Sequence, residues 1–250
     1  MLILGINVYH ADTAACIISD GKIVAACEEE RFTRIKHFTG FPINSINFCL
    51  SKVGINIEDV DYITVNYNFN YNFISRLKFA FSNLTSMSLI SKLISLLNKK
   101  TIANSISNNY GVNCKDKIVF VPHHISHISS SFLSSGLDDA VGLSIDATGD
   151  FSSMEISTFK NNKITVLEKN LYPHSLGILY QAISQFLGFK NYGDEYKVMG
   201  LASYGKPAFE DRIRKLFFLD KNCNFKLNLK YFDHHNTIVD YNFDSGTPFF

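Results

Sequence analysis

The stretch LILGINV at residues 2–8 is followed, after a short polar loop, by TAACIISDGKIVAAC at residues 13–27. Within the second stretch, Asp20 and Gly21 separate two apolar runs. An Asp-Gly pair in that position is the strongest short-range signal for a β-hairpin. The sequence therefore predicts that the chain opens with a strand, a loop and a hairpin.

Beyond the hairpin, apolar runs of strand length alternate with segments of helical spacing. Strands are predicted at residues 60–65, 117–121 and 140–145, a second hairpin at residues 154–167, and helices at residues 42–54, 126–133 and 177–186. This alternation predicts an α/β fold with a mixed sheet and flanking helices.

Residues 66–112 differ in composition from the sheet-forming regions on either side. They are rich in Asn, Ser, Phe and Leu, and residues 88–97 have apolar side chains at helical spacing. We interpret this region as a helical insertion. Its helices are either ordinary core helices or a lid over a site.

The composition limits the classes of function. The 250 residues are 46% hydrophobic and 19% charged, which is typical of a globular protein. With 24 basic against 23 acidic residues, the net charge of +1 argues against a broad nucleic-acid surface. No apolar run approaches the roughly 20 residues of a membrane helix. Five scattered cysteines without CxxC spacing favour reduced thiols and a cytoplasmic location.

Two histidines follow the predicted strand at residues 117–121. His123 and His127 are four residues apart, so a helix places them on one face, where both imidazoles can bind one metal ion. Asp146 stands at the end of the next predicted strand, and the ends of neighbouring strands are where open α/β sheets bind ligands. The three side chains are therefore candidates for a metal site, although histidines at this spacing also occur by chance on surface helices.

The segment DATGD at residues 146–150 predicts a turn after an apolar strand. Small residues and a glycine allow backbone N–H groups of such a turn to face a phosphate. The alternative is a plain turn that joins two strands.

The loop between the first strand and the hairpin contains His10, whose ordinary pKa suits a general base. A strand, a polar loop and a hairpin are how actin-like and sugar-kinase-like nucleotide-binding domains begin. Those ATPases often carry an acid on the first strand, where this chain has Asn7, and this difference disfavours a kinase. The alternative for His10 is a polar surface residue.

Two further segments carry cations. In EEERFTRIKH at residues 28–37, acids and bases alternate, which predicts either a solvated, self-paired segment or an anion held by Arg31, Arg34 or Lys36. Lys197 lies on a short predicted helix flanked by glycines. That helix is either close to a phosphate or an ordinary capped helix.

Taken together, these segments resemble the nodulation-type and antibiotic O-carbamoyltransferases. The resemblance is carried by GINVYH at 5–10, DGKIVAACEEERFTRIKH at 20–37, FP at 41–42, HHISH at 123–127, DATG at 146–149 and EYKVMGLASYG at 195–205. It runs from residue 2 to about residue 207, and the EEERFTRIKH and KVMGLA segments are specific to that family. The HxxxH element is shared with the catalytic subunit that makes threonylcarbamoyladenosine in tRNA.

The resemblance implies an actin-like fold of the HSP70 and sugar-kinase (ribonuclease H-like) class, with residues 1–250 as its N-terminal part. In the family, a separate YrdC-like domain joins carbamoyl phosphate and ATP into carbamoyl-adenylate and releases pyrophosphate. The N-terminal domain then transfers the carbamoyl group to a hydroxyl of a small-molecule or saccharide acceptor and releases AMP. We expect the YrdC-like domain, and the family's fourth metal ligand, to lie outside this sequence.

The resemblance also implies roles for individual residues. The expected ligands of Fe²⁺, or of another divalent metal, are His123, His127 and Asp146. His10 is the expected catalytic base and Lys36 a substrate-binding lysine. The residues expected to bind the adenylate are Asp146, Ala147, Thr148, Gly149 and Gly177. Lys197 joins the substrate-binding set from its own sequence context.

The sequence leaves other functions open. A tRNA threonylcarbamoyladenosine-type transferase would use a related adenylate and the same HxxxH element, and the near-neutral charge weighs against it. A non-catalytic nucleotide-binding module would bind nucleotide without metal-dependent transfer.

Overall fold

The computed structural model describes residues 1–82, 102–161, 163–189, 191–221 and 224–236. The chain divides into two compact units. Unit 1 comprises Met1–Asn68 and Asn98–Ser126, and unit 2 comprises Phe69–Leu97 and His127–Phe250.

Unit 1 is built on a five-stranded mixed sheet. Its strands, in the order β3-β2-β1-β4-β5, are β1 (Leu2–Asn7), β2 (Ala14–Ser19), β3 (Lys22–Glu28), β4 (Tyr62–Val65) and β5 (Ile118–Phe120). The first three strands are antiparallel, whereas β4 runs parallel to β1 and β5 parallel to β4. Asp20 and Gly21 form the β2–β3 turn with φ of 47° and 78°. The predicted strand, loop and hairpin are confirmed.

One face of this sheet packs on helices. Within unit 1 these are α1 (Glu30–Thr33), α2 (Ile43–Val53) and α4 (Ile102–Tyr110). As predicted, α2 begins after Pro42 and ends at Gly54, whose φ of 74° suits glycine at a helix end. The core contains the fully buried side chains of Leu4, Ile17, Ile46, Ile63 and Ile106. Each contributes roughly 1.5–3 kcal/mol by its removal from water.

The sequence allowed two interpretations of the charged segment at residues 28–37. The first, a solvated and self-paired segment, is only partly correct. Arg31 lies 3.4 Å from Glu28 and 3.8 Å from Glu30. Glu29 between them is buried, and its carboxylate accepts hydrogen bonds from the backbone N–H groups of Asn44 and Ser45 at 3.1 and 2.8 Å. Glu29 therefore caps α2 electrostatically and by hydrogen bonding.

Unit 2 contains a three-stranded antiparallel sheet with the order β6-β7-β8. Its strands are β6 (Ala140–Gly149), β7 (Ser152–Lys160) and β8 (Lys163–Leu171), and a small hairpin pairs β9 (Phe217–Leu219) with β10 (Phe225–Leu227). Its helices are α3 (Phe73–Ser82), most of α5 (His123–Ser135), α6 (Leu176–Phe186), α7 (Glu195–Ala202) and α8 (Glu210–Ile213). The second hairpin and the helix at residues 177–186 are confirmed, and with them the α/β fold with a mixed sheet and flanking helices.

The turn predicted for residues 146–150 is wrong in its position. Strand β6 continues to Gly149, and the turn is formed by Asp150 and Phe151, which have φ of 50° and 69°. Ile145 pairs with Met154 and Gly149 with Ser152, so the intervening residues bulge out of the pairing. The pairing of Gly149 with Ser152 therefore extends β6 past the bulge, to the end of the DATG segment.

Helix α5 begins three residues before the predicted start at residue 126. Two helices, α3 and α4, fall within the proposed insertion, whereas the helix predicted at residues 88–97 lies outside the described residues. Among the helices that the structure describes, none combines the length and the apolar character needed to cross a membrane.

Candidate metal centre and substrate-binding residues

Helix α5 places two of the predicted metal ligands at its start. The chain leaves β5, and Val121 donates a backbone hydrogen bond to Val65 at 2.8 Å. Pro122 precedes the helix and accepts from the N–H of Ser126 at 2.9 Å. His123 is the first helical residue and His127 lies one turn farther on, so both imidazoles project from one face.

Asp146 at the bulge of β6 completes a three-residue cluster. Its Oδ2 lies 3.6 Å from Nε2 of His127, and the ligand atoms of His123, His127 and Asp146 all lie within 4.8 Å of one another. The division between the units falls inside α5, so the continuous helix fixes His123 relative to His127. Ligands about 2.1 Å from one metal are at most about 4.2 Å apart. The 3.6 Å distance between His127 and Asp146 meets this limit, and the side chain of His127 is 55% exposed.

The donor set fits a divalent transition metal. Two imidazole nitrogens and one carboxylate oxygen suit Fe²⁺ and also Zn²⁺ or Mn²⁺, and three protein ligands leave coordination positions for substrate. These residues could therefore hold the expected ion, whose presence stays a prediction.

The position of Asp146 is fixed by its neighbours. Its Oδ1 accepts from the backbone N–H of Ala147 at 2.6 Å, and its carbonyl accepts from the hydroxyl of Ser175 at 3.0 Å. Ser175 is also the N-cap of α6, because its side chain accepts from the N–H of Ile178 at 3.1 Å. One serine thus ties the start of α6 to the candidate ligand.

Gly177 allows the backbones of α6 and β6 to approach closely. A Cβ at this position would lie 2.5 Å from Cα of Ala147 and 2.9 Å from the carbonyl carbon of Asp146. The structure therefore brings together Asp146, Ala147 and Gly177, three residues predicted to bind the adenylate. Thr148 and Gly149 continue the same strand.

Lys197 lies on α7 and pairs locally. Its Nζ is 2.6 Å from Oδ1 of Asp194, three residues earlier, and this hydrogen bond raises the pKa of Lys197. Gly200 lies inside the helix, so the glycines at residues 193 and 205 bracket a longer helix than predicted. The substrate-binding role of Lys197 stays a prediction.

His10 and Lys36 belong to unit 1. Both are exposed, and the ring Nδ1 of His10 is 3.4 Å from the carbonyl of the adjacent Ala11. Their predicted roles, as base and as substrate-binding lysine, stay predictions.

Unit 1 contains an acid–histidine pair that no local sequence pattern predicts. Oδ1 of Asp12 lies 2.8 Å from Nδ1 of His37. Asp12 and His37 are 25 residues apart, and neither helical nor strand periodicity links residues at that separation. No sequence pattern therefore predicts that they meet. The amide of Asn7 stabilises the loop by donating to the carbonyls of Ala11 and Asp12 at 3.2 and 2.9 Å. Asn7 therefore has a structural role at the position where an ATPase acid was sought.

A second group without a signal in the sequence is buried in unit 2. The carboxylate of Glu155 accepts from the hydroxyl of Tyr71 at 3.2 Å and lies 3.6 Å from Nζ of Lys169. Burial raises the pKa of Glu155, an effect that Lys169 partly offsets. Nearby, Arg76 lies 3.6 Å from Asp150 in the turn after the DATG segment. The start of the predicted insertion is thereby attached to the hairpin that carries Asp146.

Comparisons with known proteins agree with the resemblance. The family model described as "Carbamoyltransferase N-terminus" matches residues 2–244. Nodulation protein NolNO of Sinorhizobium fredii is 34% identical over 227 residues, which cover 89% of this chain and 32% of that protein. The uncharacterized protein sll1178 of Synechocystis is 38% identical over 243 residues, covering 93% of this chain and 39% of the relative. The chain thus spans between about a third and two fifths of the length of these relatives.

Solved structures with a partly similar backbone include component A of the (R)-2-hydroxyglutaryl-CoA dehydratase of Acidaminococcus fermentans. It is 16% identical, with a TM-score of 0.42, and the match covers 85% of this chain and 72% of that one. The assignment of the family comes from the sequence matches, which extend over nearly all of the chain and include the candidate site. The chain therefore belongs to the carbamoyltransferase N-terminus family.

Proposed function

We propose that this chain is the carbamoyl-transferring part of an ATP-dependent O-carbamoyltransferase. The donor is carbamoyl-adenylate, and the acceptor is a hydroxyl group of a sugar or natural product. The observation that carries the proposal is the convergence of His123, His127 and Asp146 next to the backbone contact between Ala147 and Gly177. This convergence lies in a chain that belongs to a carbamoyltransferase family.

His123, His127 and Asp146 would hold the metal, with Fe²⁺ as the first candidate. When bound, a divalent cation supplies Lewis-acid stabilisation of negative charge that develops on the carbamoyl oxygen. Asp146 is held by Ser175 and Ala147, so its carboxylate is positioned before any ligand arrives. The backbone of residues 146–149 and Gly177 would contact the adenylate, and Lys197 would bind its anionic part. Lys36 of unit 1 remains a proposed substrate-binding residue.

The reaction transfers one acyl group and conserves every atom. The acceptor oxygen forms a bond to the carbamoyl carbon, and its proton passes to a base in this chain. The bond between the carbamoyl carbon and the phosphate oxygen breaks, and AMP leaves with the electron pair. The products are a carbamate ester and AMP.

Synthesis of the donor would belong to another domain. A YrdC-like domain would make carbamoyl-adenylate from carbamoyl phosphate and ATP. The cysteines that the structure describes are free thiols, which fits the proposed cytoplasmic location.

A two-part experiment tests this function. The purified chain is first freed of metal, then titrated with Fe²⁺ without oxygen, with calorimetry as the readout. It is next given preformed carbamoyl-adenylate and either an aminoglycoside or a chitin oligosaccharide, with mass spectrometry for AMP and the carbamoylated acceptor. We expect one ion per chain and metal-dependent transfer. Metal binding and transfer should both be lost in His123→Ala, His127→Ala and Asp146→Asn.

Ser131→Ala is the matched control, because Ser131 is exposed on α5 one turn beyond His127 and lies outside the cluster. It should bind metal like the wild type. If the three cluster variants bind metal as well as the wild type, the proposed site is wrong. If the metal-loaded chain binds AMP but transfers nothing to either acceptor or to water, a nucleotide-binding module is the better description.

A further inference from the structure

We infer that Asn72 and Arg76, at the start of α3, are positioning residues that hold the candidate metal ligand Asp146 in its binding position. This role rests on the proposed function, and it brings to the site two residues from outside the ligand and substrate-binding sets. Its basis is a pair of contacts to Asp150, four residues after Asp146. All four residues belong to unit 2.

The strand pairing does not hold the DATG segment along its whole length. The register of β6 with β7 passes from the pair of Ile145 directly to the pair of Gly149, so that three residues of β6 lie opposite Ser153 alone. A bulge of this kind disrupts the ladder locally and re-aims side chains. The backbone that carries Asp146 therefore depends on contacts from other segments.

Such contacts are present at both ends of the bulge. Before it, the hydroxyl of Ser175 donates to the carbonyl of Asp146 at 3.0 Å. After it, the side-chain amide of Asn72 donates to the carbonyl of Asp150 at 3.0 Å, and Nη2 of Arg76 lies 3.6 Å from Oδ1 of Asp150. The start of α3 thus holds the end of the bulge that Ser175 does not reach.

Asn72 is itself fixed through its side chain and its backbone. Its Oδ1 accepts from Nζ of Lys169 at 3.3 Å, and its carbonyl accepts from the N–H of Arg76 at 3.0 Å. Its φ of 58° lies in the left-handed region, which asparagine adopts more readily than most residues. The amide that holds Asp150 therefore has little freedom to move.

The turn after the bulge needs this support. Asp150 and Phe151 have φ of 50° and 69°, a conformation that is unfavourable for such residues and persists where the surroundings stabilise it. The side chains of Asp150 and Arg76 are only 5% and 22% exposed, so their pair is largely removed from water. The ring of Phe79, one turn farther along α3, lies 5.7 Å from that of Phe151, edge to face. Helix α3 therefore holds the turn by polar and aromatic contacts together.

The position of the turn matters because metal binding is sensitive to ligand position. A ligand has to be held within about 0.5 Å of its productive place by supporting contacts. Oδ2 of Asp146 lies 3.6 Å from Nε2 of His127, close enough for both to bind one ion. If the turn relaxed, the bulge would take up the change and Asp146 would move relative to His127. Asn72 and Arg76 would thus act on the metal through Asp146.

Co²⁺ binding tests this role, because Co²⁺ takes the same nitrogen and oxygen ligands and its visible absorption reports the coordination geometry. Asn72→Gly removes the amide without adding backbone strain, since glycine suits positive φ. Arg76→Lys keeps the charge and removes the guanidinium. We expect each to bind Co²⁺ about 10-fold more weakly by calorimetry, at the low end of the 10–100-fold effect of groups behind the ligands. The absorption bands should shift as well.

Two control variants separate this effect from general destabilisation. Ile17→Val shortens a fully buried side chain in the core of unit 1. Arg214→Lys alters another arginine of unit 2 that pairs with a carboxylate, that of Glu210, but this pair is exposed. Both controls should bind Co²⁺ with the affinity and the spectrum of the wild type.

A second readout uses neither metal nor activity. Amide hydrogen exchange of the metal-free chain reports how firmly residues 143–152 are held. Exchange in this segment should be faster in Asn72→Gly than in the wild type, and unchanged in Ile17→Val.

Wild-type affinity and spectrum in both Asn72→Gly and Arg76→Lys would overturn the positioning role. Faster exchange with unchanged Co²⁺ binding would also overturn it, because the contacts would then only stabilise the turn. If the wild-type chain binds neither Co²⁺ nor Fe²⁺, the proposed metal site is wrong and the positioning role is wrong with it. The exchange measurement would still show in that case whether α3 holds the turn, so the two failures are distinguishable.

Discussion

The two three-stranded meanders of this chain, β1-β2-β3 and β6-β7-β8, have the same order and the same antiparallel directions but bury different chemistry. The first buries apolar side chains, among them those of Leu4, Ile6, Ala15 and Ile17. The second buries mostly polar ones, among them those of Ser144, Ser153, Glu155, Ser157 and Asn170.

The difference separates general stability from local positioning. Apolar burial is non-directional, so many substitutions of similar volume preserve it. A buried carboxylate such as Glu155 requires specific partners, and here these are Tyr71 and Lys169. The polar meander also carries Asp146, so the stability of the candidate site depends on a few directional contacts.

Removal of the Lys169 side-chain charge should lower the free energy of unfolding more than any other substitution considered below. Lys169→Met leaves the buried Glu155 without its cation, and loss of one partner of a buried pair costs about 3–5 kcal/mol. Urea unfolding of the metal-free chain would measure it. Lys163→Met is the control, because Lys163 is an exposed residue of the same strand.

The double variant Glu155→Gln with Lys169→Met should recover much of the lost stability, because it removes the unpaired charge. A Lys169→Met protein as stable as the control would mean that the polar meander tolerates substitution as well as the apolar one. The two meanders would then not differ in their tolerance of substitution.

The next largest loss of stability should follow substitution of a glycine at which two backbone segments approach closely. Gly177→Ala puts a methyl group 2.5 Å from Cα of Ala147, which cannot rotate away. Gly5→Ala in β1 meets Sγ of Cys16 at 2.8 Å, and a side chain can rotate. We expect Gly177→Ala to lose about 2–3 kcal/mol and to weaken Fe²⁺ binding, and Gly5→Ala to lose about 1 kcal/mol. Equal losses, by urea unfolding and calorimetry, would contradict this argument.

The sequence predicts the features that depend on local signals and misses those that depend on tertiary contacts. The first hairpin and α2 were predictable because their signals are local: Asp20 with Gly21 makes the turn, and Pro42 and Gly54 bracket the helix. The proximity of His123, His127 and Asp146 was predictable because helical spacing fixes the two histidines and Asp146 follows the next apolar run, although its strand continues beyond it to Gly149.

The misses depend on tertiary contacts. Pairing of Gly149 with Ser152 keeps the DATG segment in β6, and nothing within that segment reveals the pairing. Glu155 and Lys169 look like ordinary polar strand residues, and the partner Tyr71 lies 84 residues before Glu155. Asp12 and His37 meet only because two loops with positive φ lie side by side.

The smallest expected effect concerns a polar group that lacks a partner. The hydroxyl of Ser157 is buried and has no hydrogen-bond partner among the described residues. Because an unsatisfied buried hydroxyl is unfavourable, Ser157→Ala should leave the free energy of unfolding unchanged or raise it by up to about 1 kcal/mol. Ile17→Val, on the apolar meander, should lower it by about 0.5–1.5 kcal/mol. A clear loss of stability in Ser157→Ala, measured by urea unfolding, would mean that the whole polar face is stabilising. If Ser157→Ala is as stable as the wild type or more stable, only the residues around Glu155 stabilise the fold through polar contacts. Directional pairing, rather than polarity as such, would then be the feature that distinguishes the second meander.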